Sequence, residues 1–121
     1  MSDMTELAQR YIETFNETDP ARRRRLLEEL YTADATYTDP HVELRGTEQL
    51  EGFIASTQER FPGYVFSLAG DVDSHHDQSR FQWQAGPAGA GRPEYVGFDV
   101  VVADGGRLRS VYGFLDAAPT A

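Results

Sequence analysis

The chain lacks cysteine altogether, and it lacks lysine too: its eleven basic residues are all arginine. The first absence excludes a thiolate nucleophile, an intrachain disulfide and a thiolate zinc site, and the second excludes a Schiff-base lysine. Chemistry is left to carboxylates, hydroxyls, amides, arginines, six tyrosines and three histidines. Long apolar runs are also missing. No stretch approaches the ~20 apolar residues that a membrane helix needs. The opening Met1-Ser2-Asp3-Met4-Thr5-Glu6 has neither the positive charge nor the apolar run of a secretory signal. A cytoplasmic protein with no membrane contact is the expectation. Basic charge is in deficit: 20 acidic against 11 basic side chains give a net charge of −9. Nucleic-acid affinity rests on basic groups that neutralise phosphates, so no nucleic-acid partner is expected. Even Arg22-Arg23-Arg24-Arg25 reads as a solvated helix face, with Arg24–Glu28 and Arg25–Glu29 at the i,i+4 spacing of ion pairs.

What is present suits one globular domain over residues 1–121. A chain of this length buries roughly two-thirds of the surface its unfolded form exposes, enough for a core without staples. Leu7, Tyr11 and Phe15, with Ala8 and Ile12 beside them, make one apolar helix face, and Asp3 with Glu6 resembles a capping box. Asp19-Pro20 starts a second helix that buries Leu26, Leu27 and Leu30. A short strand follows over Thr36 to Asp39. A third helix enters after Gly46, buries Leu50, Phe53 and Ile54 with Phe61 as a further candidate, and stops at Pro62-Gly63. Strands dominate the rest. Tyr64, Phe66 and Leu68 alternate with smaller residues, as do Phe81, Trp83 and Ala85 with polar ones. Gly86 to Pro93 is a loop, Glu94 to Ala103 is the most apolar strand, and Asp104-Gly105-Gly106 turns the chain into Arg107 to Leu115. Both faces of the strand from Tyr95 are apolar. Three helices cover one face, so the other is covered either by a second copy, in a homodimer through the outer face, or by loops and the C-terminal tail, and the homodimer is the simpler expectation.

Three residues stand out as candidates for chemistry. Asp39 precedes Pro40 and shares a strand face with Tyr37. It is either a turn initiator or a carboxylate at the mouth of an apolar pocket, where desolvation raises its basicity. Asp99 interrupts the most apolar strand, where a charge is costly unless paired or protonated. It pairs with an arginine such as Arg80 or Arg109, or it faces open space left by Gly97. Tyr11 is either a core tyrosine or a pocket-facing hydroxyl. His75 and His76 are adjacent, so on a strand they point to opposite faces. Asp39, His41 and one of that pair have no recognised ligand spacing, so neither metal nor cofactor is expected.

Taken in order, these features resemble the NTF2-like superfamily, in its ketosteroid-isomerase and SnoaL-like polyketide-cyclase branch. The resemblance rests on Arg10-Tyr11-Ile12-Glu13, Ala33-Asp34-Ala35-Thr36-Tyr37-Thr38-Asp39-Pro40, Arg45-Gly46-Thr47-Glu48-Gln49-Leu50, and Phe98-Asp99-Val100-Val101 before Asp104-Gly105-Gly106-Arg107-Leu108. It implies an α+β, cone-shaped barrel whose curved antiparallel sheet wraps the N-terminal helices around a deep apolar pocket, and a homodimer. It further implies Asp39 as the general base, Tyr11 as the oxyanion-binding tyrosine and Asp99 as a protonated aspartic acid. Tyr37, His41, Phe53, Phe81, Trp83, Tyr112 and Phe114 are the expected pocket lining, with one of His75 and His76 as a further polar candidate. The expected ligand is small, apolar and carbonyl-containing, and the leading activity is that of an isomerase or cyclase working by proton abstraction. Two alternatives stand beside it: a non-catalytic ligand-binding or dimerisation protein, and an epoxide hydrolase of the limonene-epoxide-hydrolase kind. The latter would need Arg80 or Arg109 facing inward beside Asp99.

Overall fold

The computed structural model describes residues 4–119 of the chain. Three helices, α1 (Met4–Asn16), α2 (Pro20–Leu30) and α3 (Thr47–Arg60), lie against six strands. The strands are β1 (Tyr31–Thr38), β2 (Glu43–Arg45), β3 (Tyr64–His75), β4 (Gln78–Pro87), β5 (Tyr95–Asp104) and β6 (Arg107–Ala117). They form a curved, unclosed sheet in the order β2-β1-β6-β5-β4-β3. The expected α+β architecture is present. The sheet is not wholly antiparallel, because β1 runs parallel to β6. β1 begins directly at Tyr31, five residues before the expected strand. Its exposed residues Ala33 and Asp34 and the irregular register between Tyr31 and Thr36 break the alternation that would have marked it. β2 is only three residues long and carries no pattern of its own.

Helix boundaries follow local chemistry. The Asp19 carboxylate accepts the Arg22 N–H at 2.9 Å and Pro20 occupies the first turn, which satisfies one orphan amide at the start of α2. Asp3, one half of the expected capping box on α1, lies outside the described residues. α1 buries Leu7, Ala8, Tyr11, Ile12 and Phe15 on the stripe that its spacing predicts. Its last residue, Asn16, turns its amide onto the sheet: Nδ2 donates to the Phe66 carbonyl at 2.8 Å, and Oδ1 accepts the Phe66 N–H at 2.8 Å.

The arginine run is not uniformly solvated. Arg23 is 3% exposed, and its guanidinium ties α2 to α3 and to Glu17, the residue that follows α1. Nε and Nη2 donate to the two Glu51 carboxylate oxygens at 2.7 and 2.9 Å, while Nη1 donates to the Glu17 carbonyl and to Gln58 Oε1. A planar fork with five donors can satisfy such a set where lysine could not. Neither Arg24–Glu28 nor Arg25–Glu29 forms an ion pair among the described residues; Glu29 instead meets Arg10 at 3.7 Å. Arg80 lies on the outer face of the sheet, bound to Asp73 at 3.1 Å.

β5 sets the two faces of the sheet. Gly97, Asp99, Val101 and Ala103 are buried against the helices, while Val96, Phe98, Val100 and Val102 line the outer face and are half-buried. On β6, Phe114 pairs with Phe98 and Tyr112 with Val100, which widens the outer apolar stripe. Among the described residues no helix is long and apolar enough to cross a membrane.

Candidate active site

Helices and inner sheet face enclose an apolar cavity of about 150 Å³. Its deep end is made by α1 and β5, where Tyr11 and Asp99 are each 2% exposed. Its mouth is made by the ends of β1, α3 and β6, where Phe114 is 57% exposed. Ten of its twenty lining residues are aromatic, so the walls favour flat apolar guests.

The three candidates for chemistry converge here. The Tyr11 hydroxyl, carried inward by the buried stripe of α1, donates to Asp99 Oδ2 at 2.7 Å. The Trp83 indole Nε1–H donates to Asp99 Oδ1 at 3.0 Å. Asp99 has no arginine partner: Arg80 points outward and Arg109 is exposed, so neither faces the cavity. A carboxyl left in an apolar site without a cation resists ionisation. Burial pushes Asp99 up to about 6, and the Asp39 charge adds to the rise, while the bonds from Tyr11 and Trp83 hold it down. Tyr11 itself is raised well above the usual tyrosine value, chiefly by burial and then by the Asp99 charge, so it stays a neutral donor.

Asp39 closes a turn and also borders the cavity. Its Oδ1 accepts the backbone N–H of His41 at 2.8 Å and of Val42 at 3.1 Å, closing the turn after β1. Its Oδ2 accepts the Tyr37 hydroxyl, also on the cavity wall, at 2.8 Å. Three of the roughly four acceptor positions of a carboxylate are thus filled. Burial, and then the Asp39 charge, raise Tyr37 well above the usual tyrosine value.

Two glycines make the approach of these groups possible. A Cβ on Gly113 would stand 3.0 Å from Asp99 Oδ1 and 3.3 Å from the Cβ of Asp39, so the gap between the two aspartates is a glycine. Gly97 does not leave open space beside Asp99. Trp83 lies directly across the β4–β5 ladder, and its indole fills the position that a Gly97 Cβ would take.

Of the expected lining, Tyr37, His41, Phe53, Trp83 and Phe114 border the cavity. Phe81 and Tyr112 do not. Phe81 is buried behind Tyr11, its ring 5.8 Å from the Tyr11 ring, and Tyr112 is 44% exposed on the outer face. Sequence reasoning missed Phe15 and Phe66, although both lie on stripes it had identified; it also missed Arg60, Phe61, Tyr64, Tyr95 and Leu115 at the mouth. His75 and His76 are remote from the lining. His76 has φ 55, a left-handed turn that swings its ring onto that of His75, with the two Nδ1 atoms 3.0 Å apart. Among the described residues no group of three or more histidine, aspartate or glutamate side chains is arranged to hold a metal.

A curved sheet and three helices around one aromatic cavity, with two aspartates inside, define a pocket protein of NTF2-like architecture. The chain belongs to the SnoaL-like domain family, whose model matches residues 8–111. A SnoaL-like family protein from Agrobacterium tumefaciens, provisionally named an isomerase, is 35% identical with a TM-score of 0.88. The match covers 93% of this chain and 97% of that one. A protein from Kribbella flavida, provisionally named a ketosteroid isomerase, is 18% identical at a TM-score of 0.70, covering 96% and 79% of the two chains. One from Jannaschia sp. CCS1, provisionally named a SnoaL-like polyketide cyclase, is 19% identical at 0.71, covering 93% and 86%. The last two show a shared fold. No curated protein matches the chain.

Proposed function

We propose that the chain is an enzyme that moves a proton next to the carbonyl of a small, largely apolar compound, as an isomerase or a cyclase. The observation that carries this reading is the convergence of Tyr11, Asp39 and Asp99 on one apolar cavity with no arginine on either aspartate. Asp39 removes the proton. Tyr11 and the neutral form of Asp99 donate to the enolate oxygen, where charge develops only as the reaction proceeds. In the free protein the Tyr11 hydroxyl is spent on Asp99. When it turns to a ligand oxygen, Asp99 loses a bond that favours its ionised form, so ligand binding itself promotes the proton-donating state. The size of the cavity bears on the substrate. An apolar space of about 150 Å³ encloses a benzene-sized guest, so one ring sits deep and any second ring reaches the mouth.

A second assignment of roles has its own support. Asp39 already accepts three hydrogen bonds, and Asp99 titrates near the pH at which a base works best. In that version Asp99 takes the proton. The two versions give opposite pH profiles. If Asp99 must be protonated, kcat/KM falls as pH rises through about 6; if Asp99 is the base, kcat/KM climbs through the same value. A profile from pH 4.5 to 8 on an enolisable ketone separates them, and a profile flat across pH 6 sinks both.

The inward-facing Asp-Arg-Asp relay of an epoxide hydrolase finds no support in Arg80 or Arg109, which both lie outside the cavity. For assembly, we propose a homodimer through the outer stripe of Phe98, Val100, Tyr112 and Phe114. Sedimentation velocity should give twice the chain mass, and Phe98→Glu should give the chain mass; a wild type that sediments as a monomer at micromolar concentration ends the idea.

A further inference from the structure

Arg60 is the one charged lining residue with no part in the proton transfer. It closes α3 at the solvent side of the cavity, and it takes part in none of the ion pairs among the described residues. Its guanidinium carbon stands 5.5 Å from the centre of the Phe61 ring. Phe61, Tyr64 and Tyr95 form a cluster beside it, with ring centres 5.1 to 6.2 Å apart. Glu94 is bonded to the Tyr64 hydroxyl and is not part of the lining. The cavity therefore has two carboxyl groups, Asp39 and Asp99, on its inner walls and one guanidinium at its mouth, in a chain whose net charge of −9 otherwise repels anions.

We infer that Arg60 is a specificity-determining residue, and that the substrate is a one- or two-ring carbonyl compound bearing a carboxylate. The inference rests on the proposed function, because it takes Tyr11 and Asp99 as the carbonyl end of the site. The apolar deep end disfavours a desolvated anionic substituent, and the Asp39 charge adds to that, whereas Arg60 receives it at the mouth. Only one orientation satisfies both, and it leads with the carbonyl. The planar guanidinium matches a carboxylate in a two-bond fork, and stacking on Phe61 limits the freedom it loses. A phosphate fits less well. Its second negative charge is not matched by one guanidinium, and the free carbonyls at the C-terminus of α3 disfavour a dianion more than a monoanion.

The test compares two probes of the same ring size by calorimetry at pH 7. 2-Naphthol offers a phenol to Tyr11 and Asp99; 6-hydroxy-2-naphthoate offers the same phenol and a carboxylate at the far end. The wild type should bind the naphthoate up to about fivefold more tightly, as for a partly exposed ion pair, and the preference should shrink in 0.5 M salt. Arg60→Gln should reduce the ratio of the two affinities to one or below, and Arg60→Lys should retain part of it. An unchanged ratio in Arg60→Gln, or a wild-type ratio of one, overturns the inference while leaving 2-naphthol binding, and with it the proposed function, intact. Failure of 2-naphthol to bind, or binding indifferent to Tyr11→Phe, overturns both.

Discussion

Asp39→Asn is expected to slow α-proton exchange of a small cyclic ketone by about 10²–10⁴, the usual contribution of a general base. 2-Tetralone in D₂O, followed by proton NMR, is a suitable probe because it needs no knowledge of the natural product. Asparagine keeps the shape of the site. Its carbonyl can still accept the amides of His41 and Val42, and its NH₂ can meet the Tyr37 hydroxyl, so the turn after β1 survives. A loss of exchange with an unchanged melting temperature therefore speaks for chemistry and not for folding. Should Asp39→Asn exchange at the wild-type rate while Asp99→Asn does not, the base is Asp99. Should neither substitution matter, the cavity binds without catalysing.

Gly97→Ala should be nearly as damaging, by a different route. The new Cβ would fall 2.2 Å from Cε2 and Cζ2 of Trp83 and 2.5 Å from its Nε1, distances at which the indole must leave. Overpacking of this kind costs roughly 1–3 kcal/mol. The displaced Nε1 also abandons Asp99 Oδ1, removing one of the bonds that hold the Asp99 carboxyl down, so the pH inflection near 6 should move upward. Trp83 is the single tryptophan, so its emission reports the displacement directly. Trp83→Phe isolates the second effect, since it removes the donor without the clash. Unaltered emission and stability in Gly97→Ala would mean that the indole does not sit on Gly97.

Much of the site could be read before any coordinate was known, because the informative residues were local anomalies. Asp99 is a charge in an apolar strand, Asp39 shares a face with Tyr37, and Tyr11 lies on a helical stripe. What escaped was set by long-range register. Trp83 and Gly97 are fourteen positions apart, and only the β4–β5 ladder places one over the other. Tyr112 was assigned to the wrong face because β6 offers apolar residues on both, and nothing local fixes the phase. Phe81 has the right parity but lies behind Tyr11, a depth that alternation does not encode. Arg23 was hidden in a run of four arginines whose members look alike. Its distinction comes from Glu51 and Gln58, on a helix that follows β1 and β2.

The Asn16 amide has a consequence beyond fixing the end of α1. β3 is one of the two edge strands of the sheet, and the unpaired side of an edge strand invites a foreign chain to add to it. Asn16 offers Phe66 the same donor and acceptor that a neighbouring strand would, and so occupies one rung of the ladder with a side chain. Because Phe66 also lines the cavity, the contact that fills this rung of the edge also ties that wall of the cavity to the end of α1.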